Sequence, residues 1–247
     1  QDLGIPVLHD DQHGTAIVLL AAMMNASRIT GIPLANMSVV INGAGAAGYA
    51  IAKLLRCQDE DDRCMPVGKV RVCDSSGILA PSRPNLNEYK ADLARWTNPD
   101  DEQGDLRDAL RGAHAFIGVS KGGLLNADDI RTMAKDPIVL AMANPTPEIM
   151  PQEAEAGGAR IIGTGRSDFP NQVNNVLAFP GLFRGALQAR ATCFTSAMKF
   201  AAIEAIAASA GEPSPKRVLP TAFDRSVAVA VADRGAAAAQ PSGACIA

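Results

Sequence analysis

Six residues, Met37-Ser-Val-Val-Ile-Asn42, have the composition of a short buried strand, and Gly43-Ala-Gly-Ala-Ala-Gly48 follows without a break. Tyr49 to Cys57 then has helical character. A Gly-x-Gly-x-x-Gly loop between a strand and a helix is far more specific than the bare pattern. Each glycine has a physical task. Gly43 permits the tight turn, Gly45 leaves room for a pyrophosphate beside the backbone, and Gly48 lets helix and strand pack closely. The helix that follows offers unpaired N–H groups and a positive dipole end to phosphates. The loop Gly43, Ala44, Gly45, Ala46, Ala47 and Gly48 is therefore expected to hold a dinucleotide.

The rest of the chain repeats this alternation. Strands are expected at 37–42, 69–74, 115–119, 138–142 and 160–163. Helices are expected at 13–30, 85–96, 105–111, 127–135, 180–210 and 225–239. Short strands alternating with helices predict an α/β fold with a doubly wound parallel sheet of Rossmann type and flanking helices. One domain over 1–239 is expected, with a loose tail at 240–247. Asp59 to Arg63 is an acidic loop. The second strand ends at Asp74, whose carboxylate could accept hydrogen bonds from an adenosine ribose and would repel a 2′-phosphate. An ordinary turn aspartate, beside Ser75, Ser76 and Gly77, is the simpler alternative.

Composition removes several function classes. The longest apolar run, Ala16 to Met24, is less than half of what a bilayer span needs. A net charge of −3 gives no basic footprint for nucleic acid. Neither nucleic acid nor a membrane is expected as a partner. Five cysteines without a Cys-x-x-Cys pattern point to neither a disulfide framework nor a zinc knuckle, and a reducing cytoplasm is expected.

His9-Asp-Asp-Gln-His13 places two carboxylates and two imidazoles at a helix entrance. It lacks the His-Glu-x-x-His of a zinc hydrolase. A hard ion such as Mg²⁺ or Mn²⁺ would take oxygen from Asp10 or Asp11; helix capping by Asp11 or Gln12 is the alternative. Two polar segments follow later strands: Ala143-Asn-Pro-Thr-Pro147, and 163–175, which ends in Asn174-Asn175. Ligands in open α/β sheets bind beyond the carboxyl ends of strands, which is where both segments fall. Each asparagine taken alone is also an ordinary turn former.

Together, Ile5-Pro-Val-Leu-His-Asp-Asp-Gln-His-Gly-Thr-Ala-Ile17, the glycine loop, Ala143-Asn-Pro145 and Gly165-Arg-Ser-Asp-Phe-Pro-Asn-Gln-Val-Asn-Asn-Val-Leu-Ala-Phe-Pro-Gly181 closely resemble the NAD(P)-binding domain of bacterial malic enzymes. The resemblance extends through Phe183-Arg-Gly-Ala-Leu187 to about Arg225. It implies oxidative decarboxylation of (S)-malate to pyruvate and CO₂ with reduction of NAD or NADP. It implies that Asp11 is a metal ligand for Mg²⁺ or Mn²⁺, that Asn144 and Asn175 contact substrate or nicotinamide, and that Asp10 orients or assists the catalytic site. A homo-oligomeric full-length enzyme is also implied. The family's catalytic Tyr and Lys, and its adjacent Glu-Asp metal ligands, belong to an N-terminal domain that these residues do not contain. Tyr49 and Tyr89 lie in the wrong segments for that role. The chain is accordingly expected to be a cofactor-binding piece, with malolactic enzyme or a non-catalytic dinucleotide-binding fragment as alternatives. The resemblance implies that Ser76 stands where many members of the family carry Lys, which leaves the choice between NAD and NADP open with a slight lean toward NAD, and with Arg83 as a substitute cation.

Overall fold

The computed structural model describes residues 5–58, 64–242 and 244–245. The acidic loop expected at 59–63 lies outside the described residues.

Asp10–Gly14 form a π-helical turn that runs into helix α1, Thr15–Thr30. The chain then alternates: β1 (Ser38–Asn42), α2 (Ala46–Leu55), β2 (Lys69–Asp74), β3 (Gly77–Ile78), α3 (Glu88–Thr97) and α4 (Leu106–Leu110). It continues through β4 (Ala115–Gly118), α5 (Ala127–Arg131), β5 (Ile138–Ala141), α6 (Pro151–Ala156) and β6 (Ile161–Thr164). Three further helices close it: α7 (Phe179–Gln188), α8 (Ser196–Ser209) and α9 (Arg225–Ala239). The six strands lie in the order β3-β2-β1-β4-β5-β6. Every pairing is parallel except β2 with β3, which is antiparallel. The expected parallel sheet is thus mixed at one edge. The missed strand has only two residues and follows a turn, so it leaves no period to detect.

Alternating strand residues feed two apolar layers. Val39, Ile41, Val70, Val72, Ile117 and Leu140 pack with α1, α2, α3 and α8. Val40, Cys73, Phe116 and Val139 face the other way, onto α4, α5 and α6. This is the two-sided burial that makes parallel strands read as unbroken apolar runs. Helix α1 is buried on nearly all sides from Ala16 to Met23. Asn25, fully buried within it, donates to the carbonyls of Ala207 (2.9 Å) and Val218 (2.8 Å), so its polar group is satisfied while it fastens α1 to the C-terminal helices.

Two expectations are corrected here. Cys57 and Cys64 form a disulfide, with Cα atoms 5.7 Å apart. The polypeptide turns back after α2, bringing together two thiols whose spacing matches no framework pattern. The tail is not loose where it is described: Ala244 is buried, and its carbonyl accepts from Thr192 N (2.7 Å). None of the helices among the described residues is long and apolar enough to cross a membrane.

Candidate functional site

In this strand order the chain leaves β1 toward β2 and later returns to place β4 on its other side. The gap beyond the carboxyl ends of β1 and β4 is the topological switch point, where open α/β sheets bind ligands. Gly43 stands there with φ +127°, and a Cβ on it would lie 2.5 Å from the carbonyl oxygen of Val119, just past β4. The two loops abut, and only glycine fits. Gly45, the N-cap of α2, would carry a Cβ into open space. A Cβ on Gly48 would collide with the carbonyl of Gly43. Turn, open approach and close packing therefore fall on the three glycines in the order the motif requires. Helix α2 begins at Ala46, three residues before the sequence suggested, because Ala-Ala-Gly carries no apolar period. This earlier start puts the first helical N–H groups at the loop itself.

A cleft of about 950 Å³ opens over this loop, lined by Asn42 to Gly45, Asp74 to Gly77, Asn87, Lys90, Val119, Ser120 and others. Asp74 sits at the end of β2 as expected, but it is not a bare carboxylate. Arg83 donates to both its oxygens (3.1 and 3.2 Å), Lys90 to Oδ2 (2.7 Å) and the Ser76 N–H to Oδ1 (2.9 Å). Partial burial pushes its pKa up, yet the bonds from Lys90, Ser76 and Arg83 prevail and hold it below the usual range. Arg83 was legible as a nearby cation. Lys90 was not, because it comes from α3, sixteen residues away.

A second cleft, about 470 Å³, lies on the β4–β6 side and is lined by Asp11, Thr15, Ala47, Val119, Ser120, Met142, Ala143, Asn144, Gly165, Val173, Asn174 and Asn175. Val119 and Ser120 line both clefts, so one wall separates and joins them. Asp11, Asn144 and Asn175, more than 160 positions apart at the extremes, thus share one cavity. Asp11 is exposed, and neither the π-turn nor α1 has a side-chain cap, so it is not serving as a helix cap. Asp10 is absent from this lining. Its Oδ1 is buried without a hydrogen-bond partner, while Oδ2 faces the Asn175 amide at 3.4 Å. Burial raises its pKa, with the Asp11 charge adding and the Asn175 bond and His9 opposing.

Among the described residues, no three His, Cys, Asp or Glu side chains cluster as a metal site. Asp11 places a single carboxylate at the cleft, and the buried, unpartnered Asp10 oxygen lies in the adjoining residue. The donors present suit part of a Mg²⁺ or Mn²⁺ site and do not complete one. Tyr49 is engaged structurally: its hydroxyl donates to Asp92 (2.9 Å) and its ring meets Tyr89 and Trp96 edge-on.

Residues 12–239 match the family described as "Malic enzyme, NAD binding domain". The chain belongs to the malic enzyme family. It is 52% identical over 98% of its length to the bifunctional malic/malolactic enzyme of Bacillus subtilis, covering 58% of that protein. It is 45% identical over 91% of its length to the NADP-dependent malic enzyme of Halomonas elongata, covering 51% of it. The crystal structure of the NAD-dependent malic enzyme of Thermotoga maritima superposes with a TM-score of 0.89 at 46% identity, over 95% of this chain and 60% of that one. The chain thus spans little more than half the length of these malic enzymes. It corresponds to their dinucleotide-binding domain, the fold and cofactor class that the glycine loop implied.

Proposed function

We propose that the protein carrying this chain oxidatively decarboxylates (S)-malate to pyruvate and CO₂ while reducing NAD(P)⁺. This chain supplies the dinucleotide site and one wall of the malate site. The observation that carries the reading is the wall at Val119 and Ser120 shared by the glycine-loop cleft and the cleft holding Asp11, Asn144 and Asn175. A dinucleotide with its pyrophosphate on the loop and its adenosine at Asp74 would lead its nicotinamide across that wall toward the second cleft.

Hydride would leave C2 of malate for the nicotinamide as the C2 hydroxyl loses its proton. The β-carboxylate would then depart as CO₂, and C3 would take a proton. A divalent ion, when bound, polarises the C2 oxygen. The contributions of this chain are positional. Asn144, exposed in the cleft, is placed to hydrogen-bond a carboxylate or a carboxamide. Asn175 is held in orientation by Thr15 and Asp10. Asp11 offers one anionic ligand to Mg²⁺ or Mn²⁺. Asp10, set behind Asn175, orients it. On this reading, the general base and acid come from outside these residues. The protein is proposed to act as a cytoplasmic homo-oligomer.

The B. subtilis relative is named as both malic and malolactic, which favours a second outcome from the same parts: lactate in place of pyruvate. The test is turnover of malate with Mn²⁺ and each dinucleotide by the protein that carries this chain, with product analysis. Pyruvate with stoichiometric NAD(P)H is expected. Lactate without net NAD(P)H would establish the malolactic reading, and absence of both products would remove both.

A further inference from the structure

Glu148 is wholly buried and belongs to none of the clefts described above. Buried carboxylates are costly unless hydrogen bonds compensate them, and the partners of this one are informative. Its Oε1 accepts from the backbone N–H of Ser120 (2.9 Å) and its Oε2 from that of Ala143 (3.0 Å). Ser120 follows β4, and Ala143 follows β5 and immediately precedes Asn144. The Ser120 hydroxyl in turn accepts from the Asn42 side chain (2.8 Å), at the last residue of β1 before the glycine loop. One carboxylate therefore ties together the carboxyl ends of three neighbouring strands. The space it fills exists because residue 118 is glycine: a Cβ there would lie 2.6 Å from both carboxylate oxygens. Burial raises the Glu148 pKa, while the Ser120 and Ala143 N–H groups work in the opposite direction.

We propose that Glu148 is a positioning residue that fixes the Ser120 and Asn144 segments against each other, and so sets the seat of the nicotinamide half of the dinucleotide. The adenosine half, at Asp74 and the glycine loop, does not depend on it. An apolar residue of similar size would fill the same volume but leave two strand-end N–H groups unpaired, and those segments would then drift independently. The inference rests on the proposed course of the dinucleotide from Asp74 to Asn144.

Glu148→Gln keeps the shape but sets an amide NH₂ against one of the two N–H donors. The test compares calorimetric binding of NAD⁺ and ADP-ribose, which lacks nicotinamide, to the protein carrying this chain. In the variant, ADP-ribose should bind within about threefold of the parent while NAD⁺ weakens about tenfold, one lost hydrogen bond's worth. If turnover of malate is present, the primary isotope effect of 2-deuteromalate on kcat should also rise. A variant that merely melts earlier, with both ligands unchanged, or one in which both ligands weaken together, would overturn the proposal. Should Glu148→Gln fail to fold, Gly118→Ala, whose Cβ would lie 2.6 Å from both carboxylate oxygens, displaces the carboxylate from its two N–H donors without touching either cleft and should shift the NAD⁺ to ADP-ribose ratio in the same direction, about threefold. An unchanged ratio in that folded variant would leave Glu148 a structural residue only. A parent that binds NAD⁺ but does not oxidise malate would sink the malate reading and leave the binding comparison intact.

Discussion

Thr15, the first residue of α1, donates its hydroxyl to the Asn175 side-chain oxygen at 3.1 Å, across 160 positions of sequence. The Asn175 amide turns toward Asp10, 3.4 Å from Oδ2. Asn175 is therefore held on both its acceptor and its donor side, so its presentation to the cleft is set by the start of the chain.

This arrangement predicts a separable defect. Asn175→Ala should leave dinucleotide affinity near that of the parent, since the glycine loop and Asp74 are untouched. kcat/KM for malate should fall about tenfold to a hundredfold, the cost of a hydrogen bond lost in a desolvated site. Steady-state kinetics beside a dinucleotide titration would decide it. Equal losses in both would mean that Asn175 only holds the fold.

The glycine loop makes two opposite predictions. Gly45→Val projects into open space, so thermal melting should stay close to the parent while dinucleotide binding falls below detection. Gly43→Ala meets a carbonyl at 2.5 Å and takes a side chain into a φ of +127°, so the melting temperature should drop by several degrees. Retained affinity in a folded Gly45→Val would take the loop out of the site.

The three partners of Asp74 bear on cofactor choice and on pH. Lys90 and Arg83 give two cations to one carboxylate beside the expected adenosine ribose, supplying the compensation that Ser76 cannot. We expect Lys90→Ala to weaken NADP⁺ more than NAD⁺, by about fivefold to tenfold in the ratio of affinities. An unchanged ratio would place Lys90 away from the 2′ position. Asp74 has a depressed pKa in the folded state, so its contribution is fully present above the unfolded value of about 3.9. That contribution disappears as pH falls through the lower folded value. The stability gap between the parent and Asp74→Asn, followed by chemical denaturation, should be constant from pH 7 to about 5 and close below about 4.

The sequence carried the frame of this domain further than its wiring. Strands β1, β2, β4 and β5 could be placed to within about a residue because buried parallel strands are short apolar runs between turn residues. Gly43, Gly45 and Gly48 could be given roles because backbone geometry leaves few alternatives. The links of Lys90 to Asp74 and of Glu148 to Ser120 could not. They join side chains to partners 16 and 28 residues away, and in the second case the partner is a backbone N–H, which has no sequence signature. The Cys57–Cys64 bond was invisible for a related reason: it depends on how the chain reverses after α2.

Asp11 yields the sharpest test of the metal expectation. It is exposed, caps no helix and lines the cleft with Asn144 and Asn175. Its neighbour Asp10 is turned inward, so the two carboxylates have different fates despite their adjacency. Asp11→Asn keeps the size and one oxygen but removes a negative charge from a hard-cation ligand. In the protein that carries this chain, the substitution should raise the Mn²⁺ concentration for half-maximal turnover by at least about tenfold. Part of the lost activity should return at high Mn²⁺, with NAD⁺ affinity unchanged. Asp10→Asn should act differently. With its charge gone, the repulsion toward Asp11 falls, but the group facing Asn175 becomes an amide that can present a donor to a donor. Turnover should fall without a change in the Mn²⁺ requirement. If Asp10→Asn shifted the Mn²⁺ requirement and Asp11→Asn did not, the ligand would be Asp10, and the inward setting of its carboxylate would have to reverse when the metal binds.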